Sequence, residues 1–138
     1  MPKNELDSLK DIFKSVDALN PDAEILEAST LSTADDWIDT GSYALNAIIS
    51  GSLYKGIPSG RITGFAGPSM AGKTLIMNKI MANAQKKGYI PVIWDSEVAV
   101  DKKSAENVGI DTSRVKYYPV ETIEDYRNQM CAFLDYVI

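Results

Sequence analysis

The sequence of 138 residues contains no histidine and only one cysteine, Cys131. A single cysteine excludes an intrachain disulfide, and the lack of histidine argues against a zinc site. Cys131 lies on the apolar face of a predicted helix, so we expect its side chain to fill the core. The sequence also lacks any run of about 18 consecutive apolar residues, the length that a membrane helix needs.

The sequence also has fewer basic than acidic residues. The 14 Lys and Arg residues are outnumbered by 19 Asp and Glu residues, which gives a net charge of −5. Nucleic-acid-binding domains usually carry a basic face. We therefore expect no large nucleic-acid-binding face within these residues, whereas segments outside them could bind DNA. Residues 1–5 lack the apolar region of a signal peptide, so a cytoplasmic location is expected.

The most informative pattern that is present is a glycine-bearing loop, which matches G-x-x-x-x-G-K-[ST] at every fixed position: Gly67-Pro68-Ser69-Met70-Ala71-Gly72-Lys73-Thr74. In such a loop the backbone N–H groups cradle phosphates, and the helix that follows adds the positive end of its dipole. Lys73 would reach the terminal phosphates, and the Thr74 hydroxyl would hold Mg²⁺. The sequence therefore predicts a nucleoside triphosphate site in residues 67–74.

The spacing of apolar residues predicts an alternation of helices and strands. Helices are predicted over residues 4–16, 42–50, 74–86, 104–108 and 123–137, with Ser42 and Thr122 as N-caps. Strands are predicted over residues 23–28, 61–66, 89–94 and 115–118, and residues 29–36 read as a polar linker. Alternating strands and helices indicate an α/β fold with a parallel sheet, whose ligands bind at the carboxyl ends of the strands.

Two carboxylates, Asp95 and Glu97, follow the apolar run Val92-Ile93-Trp94 at that edge of the sheet. A P-loop enzyme needs an acidic residue for Mg²⁺ and a group that orients the attacking nucleophile. Asp95 could be the metal ligand, as in small P-loop kinases. Alternatively, Glu97 could polarise the attacking water while the metal-side acid lies elsewhere. A third interpretation is that both are solvated loop carboxylates.

Two further motifs precede the loop: Thr40-Gly41-Ser42 followed by Leu45-Asn46, and Gly56-Ile57-Pro58-Ser59-Gly60-Arg61-Ile62. Together with the loop, with Asp95-Ser96-Glu97 and with Val108-Gly109-Ile110-Asp111, they resemble the RecA-family recombinases over residues 36–138. The resemblance is closest to the bacteriophage (UvsX-like) branch. It implies the first half of a RecA-like P-loop NTPase core. The family's strand with the second Walker acid and its DNA-binding loops would follow Ile138.

The resemblance also implies a function, namely ATP-dependent assembly on single-stranded DNA, homologous pairing and strand exchange, with ATP and Mg²⁺ as cofactors. Glu97 matches the family's catalytic glutamate, which together with Lys73 would act on the γ-phosphate, and Asp101 matches a position near the adenine. Residues 1–35 resemble the arm with which such recombinases bind the next subunit in a filament, here through residues 5–28. If the protein is phage-encoded, its expected location is the host cytoplasm.

One departure from the family is Ser104, which stands where many bacterial members carry a tyrosine that stacks on adenine. Two other functions remain open. The chain could be a stand-alone small P-loop kinase that uses Asp95, although its three arginines provide no arginine-rich lid. It could also be a non-catalytic fragment that caps a filament of the intact protein.

Overall fold

The computed structural model describes residues 3–30 and 33–137, and the side chains from Leu9 onward. The chain divides into two compact units, Met1–Thr33 and Ala34–Ile138. None of the helices in the described ranges combines the length and the apolar character that crossing a membrane would require.

The first unit contains helix α1, Lys3–Asp17, which agrees with the predicted helix over residues 4–16. Leu9, Ile12, Phe13 and Val16 form an apolar stripe at helical spacing, and their side chains are between 41% and 60% exposed. The strand predicted over residues 23–28 is wrong. Residues 25–28 form a turn instead, in which the Ala28 N–H donates to the Ile25 carbonyl oxygen at 2.9 Å. Strand-forming residues need a neighbouring strand to satisfy their backbone groups, and no described residue pairs with this segment.

The second unit begins with a short antiparallel pair, β1 (Trp37–Ile38) and β2 (Ile57–Pro58), joined through helix α2 (Tyr43–Ser50). Ser42 caps α2, as predicted, by accepting a hydrogen bond from the Leu45 N–H. Helix α3, Lys73–Lys86, follows the glycine-bearing loop and stops just before Gly88, whose φ of 93° suits a glycine.

The rest of the unit is built on two parallel strands, β3 (Val92–Asp95) and β4 (Lys116–Pro119), which are connected through α4 (Lys102–Asn107) and a 3₁₀ turn (Thr112–Arg114). Helix α5, Ile123–Val137, follows β4, and the Thr122 hydroxyl accepts from the Asp125 N–H at its start. The predicted α/β fold with a parallel sheet is confirmed. The strands and α4 are shifted by one to three residues from their predicted bounds.

The apolar side chains of the second unit pack in two separate places. On one face of the β3–β4 pair, the Trp94 ring stacks on Tyr118 with centroids 5.4 Å apart, and Phe133 of α5 meets it edge-on at 5.5 Å. Elsewhere in this unit, α3 and α4 enclose a small core in which Ala82, Ala105 and Ile110 are buried. Cys131 lies outside both contacts and is exposed. The expectation that it fills the core is wrong, because none of the described residues of α5 is buried.

The predicted strand over residues 61–66 is also wrong. The segment forms no strand, and Ile62 is fully exposed. Residues of high β-propensity form a strand only where they can pack on a neighbouring strand, and no described strand lies beside this segment. The glycine-bearing loop therefore enters from irregular backbone and leaves into a regular helix.

Candidate functional site

The glycine-bearing loop ends at the N-terminus of α3. Gly72 precedes the helix in the left-handed conformation, with φ 85°, and among the described residues no side chain caps the helix start. The first backbone N–H groups of α3 are therefore open to an outside acceptor. Met70, earlier in the loop, also has a positive φ of 64° and a fully exposed side chain. A non-glycine residue in this conformation stores strain, which proteins tend to tolerate at functional sites.

Lys73, the first residue of α3, folds back over the loop. Its ammonium Nζ donates to the carbonyl oxygens of Gly67 at 2.9 Å and Pro68 at 2.8 Å. Residues 70–75 line an open depression of about 360 Å³ at this point. A cation, uncapped helix N–H groups and a concave surface coincide here, and this donor set fits a phosphate group. Thr74 lines the same depression and is exposed.

Asp95, at the end of β3, is buried and engaged by three donors. Its Oδ1 accepts from the Glu97 N–H at 3.0 Å, and its Oδ2 accepts from the Val100 N–H at 3.0 Å and the Tyr117 hydroxyl at 3.2 Å. Burial is the largest single influence on this carboxyl and acts to raise its pKa. The hydrogen bonds together outweigh burial, so the pKa lies below its ordinary value. Asp95 is therefore an ionised anchor of the loop that follows it.

Glu97 is exposed on that loop, and its carboxylate has no hydrogen-bond or ion-pair partner among the residues that the structure describes. Its neighbour Val98 has a φ of 52°, which is a strained conformation for a β-branched residue. The loop thus holds one carboxylate fixed, that of Asp95, and presents the other, that of Glu97, to solvent.

Asp101 ends the same loop and serves as the N-cap of α4. Its Oδ2 accepts from the Ser104 N–H at 2.8 Å, which satisfies one of the free donors of that helix. The Asp101 side chain therefore stabilises the start of α4, a structural role in addition to its predicted position near the adenine.

A buried polar network lies at the Thr40-to-Asn46 motif and is not predicted from the sequence. Asn46 is completely buried, and its Oδ1 accepts from the Thr40 N–H at 3.0 Å and the Thr40 hydroxyl at 2.7 Å. Its Nδ2 donates to the Asp39 carboxylate and to the Leu53 carbonyl oxygen, both at 2.8 Å. All four hydrogen-bonding positions of the amide are used. The one indication of this network in the sequence is a polar residue, Asn46, in the middle of an otherwise apolar segment (Ala44, Leu45, Ala47 and Ile48).

This network connects to the glycine-bearing loop's helix. The Asn83 Nδ2 of α3 donates to the Asp39 carbonyl oxygen at 2.9 Å. Gly56 closes the network from the other side, since a Cβ there would lie 2.3 Å from the Ile38 carbonyl oxygen and 2.8 Å from Asn46 Oδ1. The two motifs that precede the loop therefore form one scaffold that contacts α3.

Comparison with known proteins gives a consistent result. The family of the RecA N-terminal domain matches residues 8–119. The chain is similar to Protein RecA of Campylobacter lari, with 34% identity over 116 residues, which cover 83% of this chain and 33% of that protein. It is 35% identical over 113 residues to Protein RecA of Campylobacter jejuni subsp. doylei, covering 81% of this chain and 32% of that protein. Protein RecA of Bifidobacterium breve is 41% identical over 75 residues, which are 54% of this chain and 18% of that protein. The chain spans at most about a third of these relatives.

Proposed function

Since this chain belongs to the family of the RecA N-terminal domain, we propose that it forms the nucleotide-binding part of a DNA recombinase that uses ATP and Mg²⁺. The observation that carries the proposal is the loop at the start of α3, where Lys73 lies over the loop carbonyls and the first helix N–H groups have no described cap. The proposed core is of the P-loop NTPase type and comprises residues 36–138.

In this proposal the backbone of Gly67, Pro68, Ser69, Met70, Ala71 and Gly72 surrounds the phosphates. Lys73 exchanges its two carbonyl contacts for phosphate oxygens, to which it is attracted more strongly because they are charged. Thr74 supplies a hydroxyl ligand to Mg²⁺, which when bound neutralises phosphate charge. Asp101 contributes near the adenine, and Ser104 provides no ring for the base to stack on.

Glu97 is the proposed activator of the attacking water. A general base must be free to approach its substrate, and the Glu97 carboxylate is exposed and unpaired among the described residues. Asp95 is the weaker candidate for the metal site, since its oxygens already accept three hydrogen bonds. This difference favours the recombinase over a small kinase that would rely on Asp95.

The DNA-related part of the proposal rests on the family alone. Single-stranded DNA binding, homologous pairing and strand exchange are proposed for the complete recombinase, through segments outside these residues, because the net charge of −5 offers no basic face here. Assignment to the phage branch remains a prediction, whereas the relatives reported above are bacterial.

Residues 1–35 are the proposed arm that docks on a neighbouring subunit, with contacts from residues 5–28. The support is the exposed stripe of Leu9, Ile12, Phe13 and Val16 on α1, since an apolar stripe at helical spacing on a helix of 15 residues suits a groove on another protein.

We expect Phe13→Ala to weaken self-association of the chain by about tenfold, because it removes the largest apolar side chain of the stripe. Sedimentation equilibrium over a range of concentrations measures the effect. Asp11→Ala, on the opposite side of the same helix, is the control and should leave association unchanged. Equal association constants for the wild type and Phe13→Ala would rule out this stripe as the docking surface.

The proposed function is tested by ATP binding and turnover of the purified chain, with and without Mg²⁺ and single-stranded DNA. We expect saturable ATP binding, because the whole of the proposed phosphate-binding loop lies within these residues. DNA should not stimulate turnover, because no basic face is available to bind it. Absence of ATP binding to the folded chain would refute the proposal. Turnover that is indifferent to DNA and survives Glu97→Gln would favour the kinase instead.

A further inference from the structure

The hydroxyl of Tyr117, on β4, contacts Asp95, the residue at the end of β3 that anchors the loop carrying Glu97. Strands β3 and β4 are paired so that Ile93 lies opposite Tyr117 and Asp95 lies opposite Pro119. Side chains two residues apart on neighbouring strands share a face, so Tyr117 and Asp95 point the same way. The Tyr117 hydroxyl reaches Asp95 Oδ2 at 3.2 Å.

We propose that Tyr117 is a positioning residue for Glu97, because its hydroxyl holds the Asp95 carboxylate that in turn fixes both ends of the loop over residues 96–100. The inference rests on the proposed role of Glu97 as the activator of water. It adds a residue of β4 to the site, although β4 carries none of the motifs on which that site was recognised.

The loop depends on this carboxylate for its shape. Asp95 Oδ1 receives the Glu97 N–H and Oδ2 receives the Val100 N–H, both at 3.0 Å, so a single side chain holds the loop at two points. Between these points lies Val98 with its φ of 52°, a conformation that would relax if the anchor moved. The Glu97 side chain has no described partner of its own, and only its backbone sets its position.

In the part of the chain that the structure describes, the Tyr117 hydroxyl is the one side-chain group that donates a hydrogen bond to Asp95. The Tyr117 ring lines a cavity of about 320 Å³ together with Val98, Val100 and Lys102. Lys102 is directed to Glu106 of its own helix, with Nζ 3.7 Å from the carboxylate. Burial, followed by the hydrogen bond to Asp95, raises the pKa of Tyr117, so the phenol stays protonated and remains a donor at neutral pH.

The test compares Tyr117→Phe with Tyr118→Phe. Each variant loses one hydroxyl and keeps its ring, and the two rings lie on opposite faces of β4. In the nucleotide-free protein, we expect solvent exchange of the Glu97 and Val100 amide protons, followed by NMR, to become about tenfold faster in Tyr117→Phe. Tyr118→Phe should match the wild type.

A pH titration of the same two amide signals gives a second readout. The pKa of Asp95 is depressed in the folded chain, so its hydrogen bonds are complete above the ordinary value and are lost as the pH falls through the depressed one. Removal of the Tyr117 hydroxyl takes away a bond to the charged form. The midpoint should therefore move to higher pH in Tyr117→Phe. Asp95→Asn should abolish the titration and confirm which group the signals report.

Nucleotide affinity separates this inference from the proposed function. Tyr117→Phe should bind ATP with the wild-type dissociation constant, within about twofold, because Tyr117 lies outside the phosphate loop. Unchanged exchange and an unchanged midpoint in Tyr117→Phe would overturn the positioning role. A large loss of ATP affinity would also overturn it, because Tyr117 would then support the whole site. If the wild type binds no ATP, the proposed function fails, while the exchange data still decide whether Tyr117 holds the loop.

Discussion

Lys73→Ala is expected to weaken ATP binding by at least about 100-fold, which corresponds to about 2.7 kcal/mol. The ammonium is the charged group that the structure places over the loop, 2.9 Å from the Gly67 carbonyl oxygen and 2.8 Å from that of Pro68. A triphosphate offers it charged oxygens in place of neutral carbonyls, and charge-assisted hydrogen bonds are about twice as strong as neutral ones. Isothermal titration calorimetry with ATP and Mg²⁺ measures the loss.

Lys79→Ala is the matched control for this variant. Lys79 lies on the same helix, about 9 Å further along its axis, and its side chain is exposed. Both variants lose one positive charge, so a difference between them isolates the position of the ammonium from the net charge. Equal affinities for Lys73→Ala, Lys79→Ala and the wild type would show that nucleotide, if it binds, does so elsewhere. A thermal melt of each variant is needed, since Lys73→Ala also removes two hydrogen bonds within the loop.

Gly56→Ala is expected to have the largest effect on stability, a loss of about 3 kcal/mol or more. A Cβ at Gly56 would lie 2.3 Å from the Ile38 carbonyl oxygen and 2.8 Å from both the Thr40 N and Asn46 Oδ1. Two of these three atoms belong to backbone, which cannot rotate away as the end of a side chain can. The clash would separate β2 from β1 and open the Asn46 network, whose buried polar groups are costly to leave unpaired. Urea denaturation followed by circular dichroism measures the change.

Gly64→Ala is the control for Gly56→Ala. A Cβ at Gly64 would meet no atom within 4 Å, and its backbone does not lie in the left-handed region. We therefore expect its stability to stay within about 0.5 kcal/mol of the wild type. If Gly56→Ala unfolds at the same urea concentration as Gly64→Ala, the close approach of β2 to the Asn46 network is not a constraint on this fold.

The elements that the sequence predicts well are those whose signals are local. Helices α1, α3 and α5 follow from apolar residues at helical spacing, and the caps at Ser42 and Thr122 follow from the chemistry of their side chains. The strand expected over residues 61–66 fails for the opposite reason. A strand is completed by its neighbour, and the composition of one segment carries no information about whether a neighbour is present.

The same distinction holds for the candidate site. The G-x-x-x-x-G-K-T pattern from Gly67 to Thr74 predicts a loop that leads into a helix, and the structure has that loop and helix, because such a pattern largely sets its own backbone geometry. The contact of Asp95 with Tyr117 could not be predicted, because it depends on the register between β3 and β4, and the contact with the Val100 N–H depends on the positive φ of Val98 in the loop between them. From residue chemistry alone, Asp95 and Glu97 are competing candidates. The family resemblance favours Glu97 as the catalytic residue, and the hydrogen bonds of Asp95 favour the same choice.

The alternation of Trp94 and Asp95 on β3 also has a consequence for how the chain folds. Trp94 packs against Tyr118 and α5 on one face of the strand pair, and Asp95 is anchored on the other. A slip of one residue in the pairing would exchange the two faces. The Asp95 carboxylate would then lie among the aromatic rings without hydrogen-bond partners. The Trp94 indole would lie on the face where Asp95 now holds the loop over residues 96–100. Because burial of an unpaired charge is so unfavourable, a misaligned pairing of β3 with β4 should be much less stable than the native pairing. Asp95, at the end of β3, thus favours the native register of the two strands over a register that is shifted by one residue.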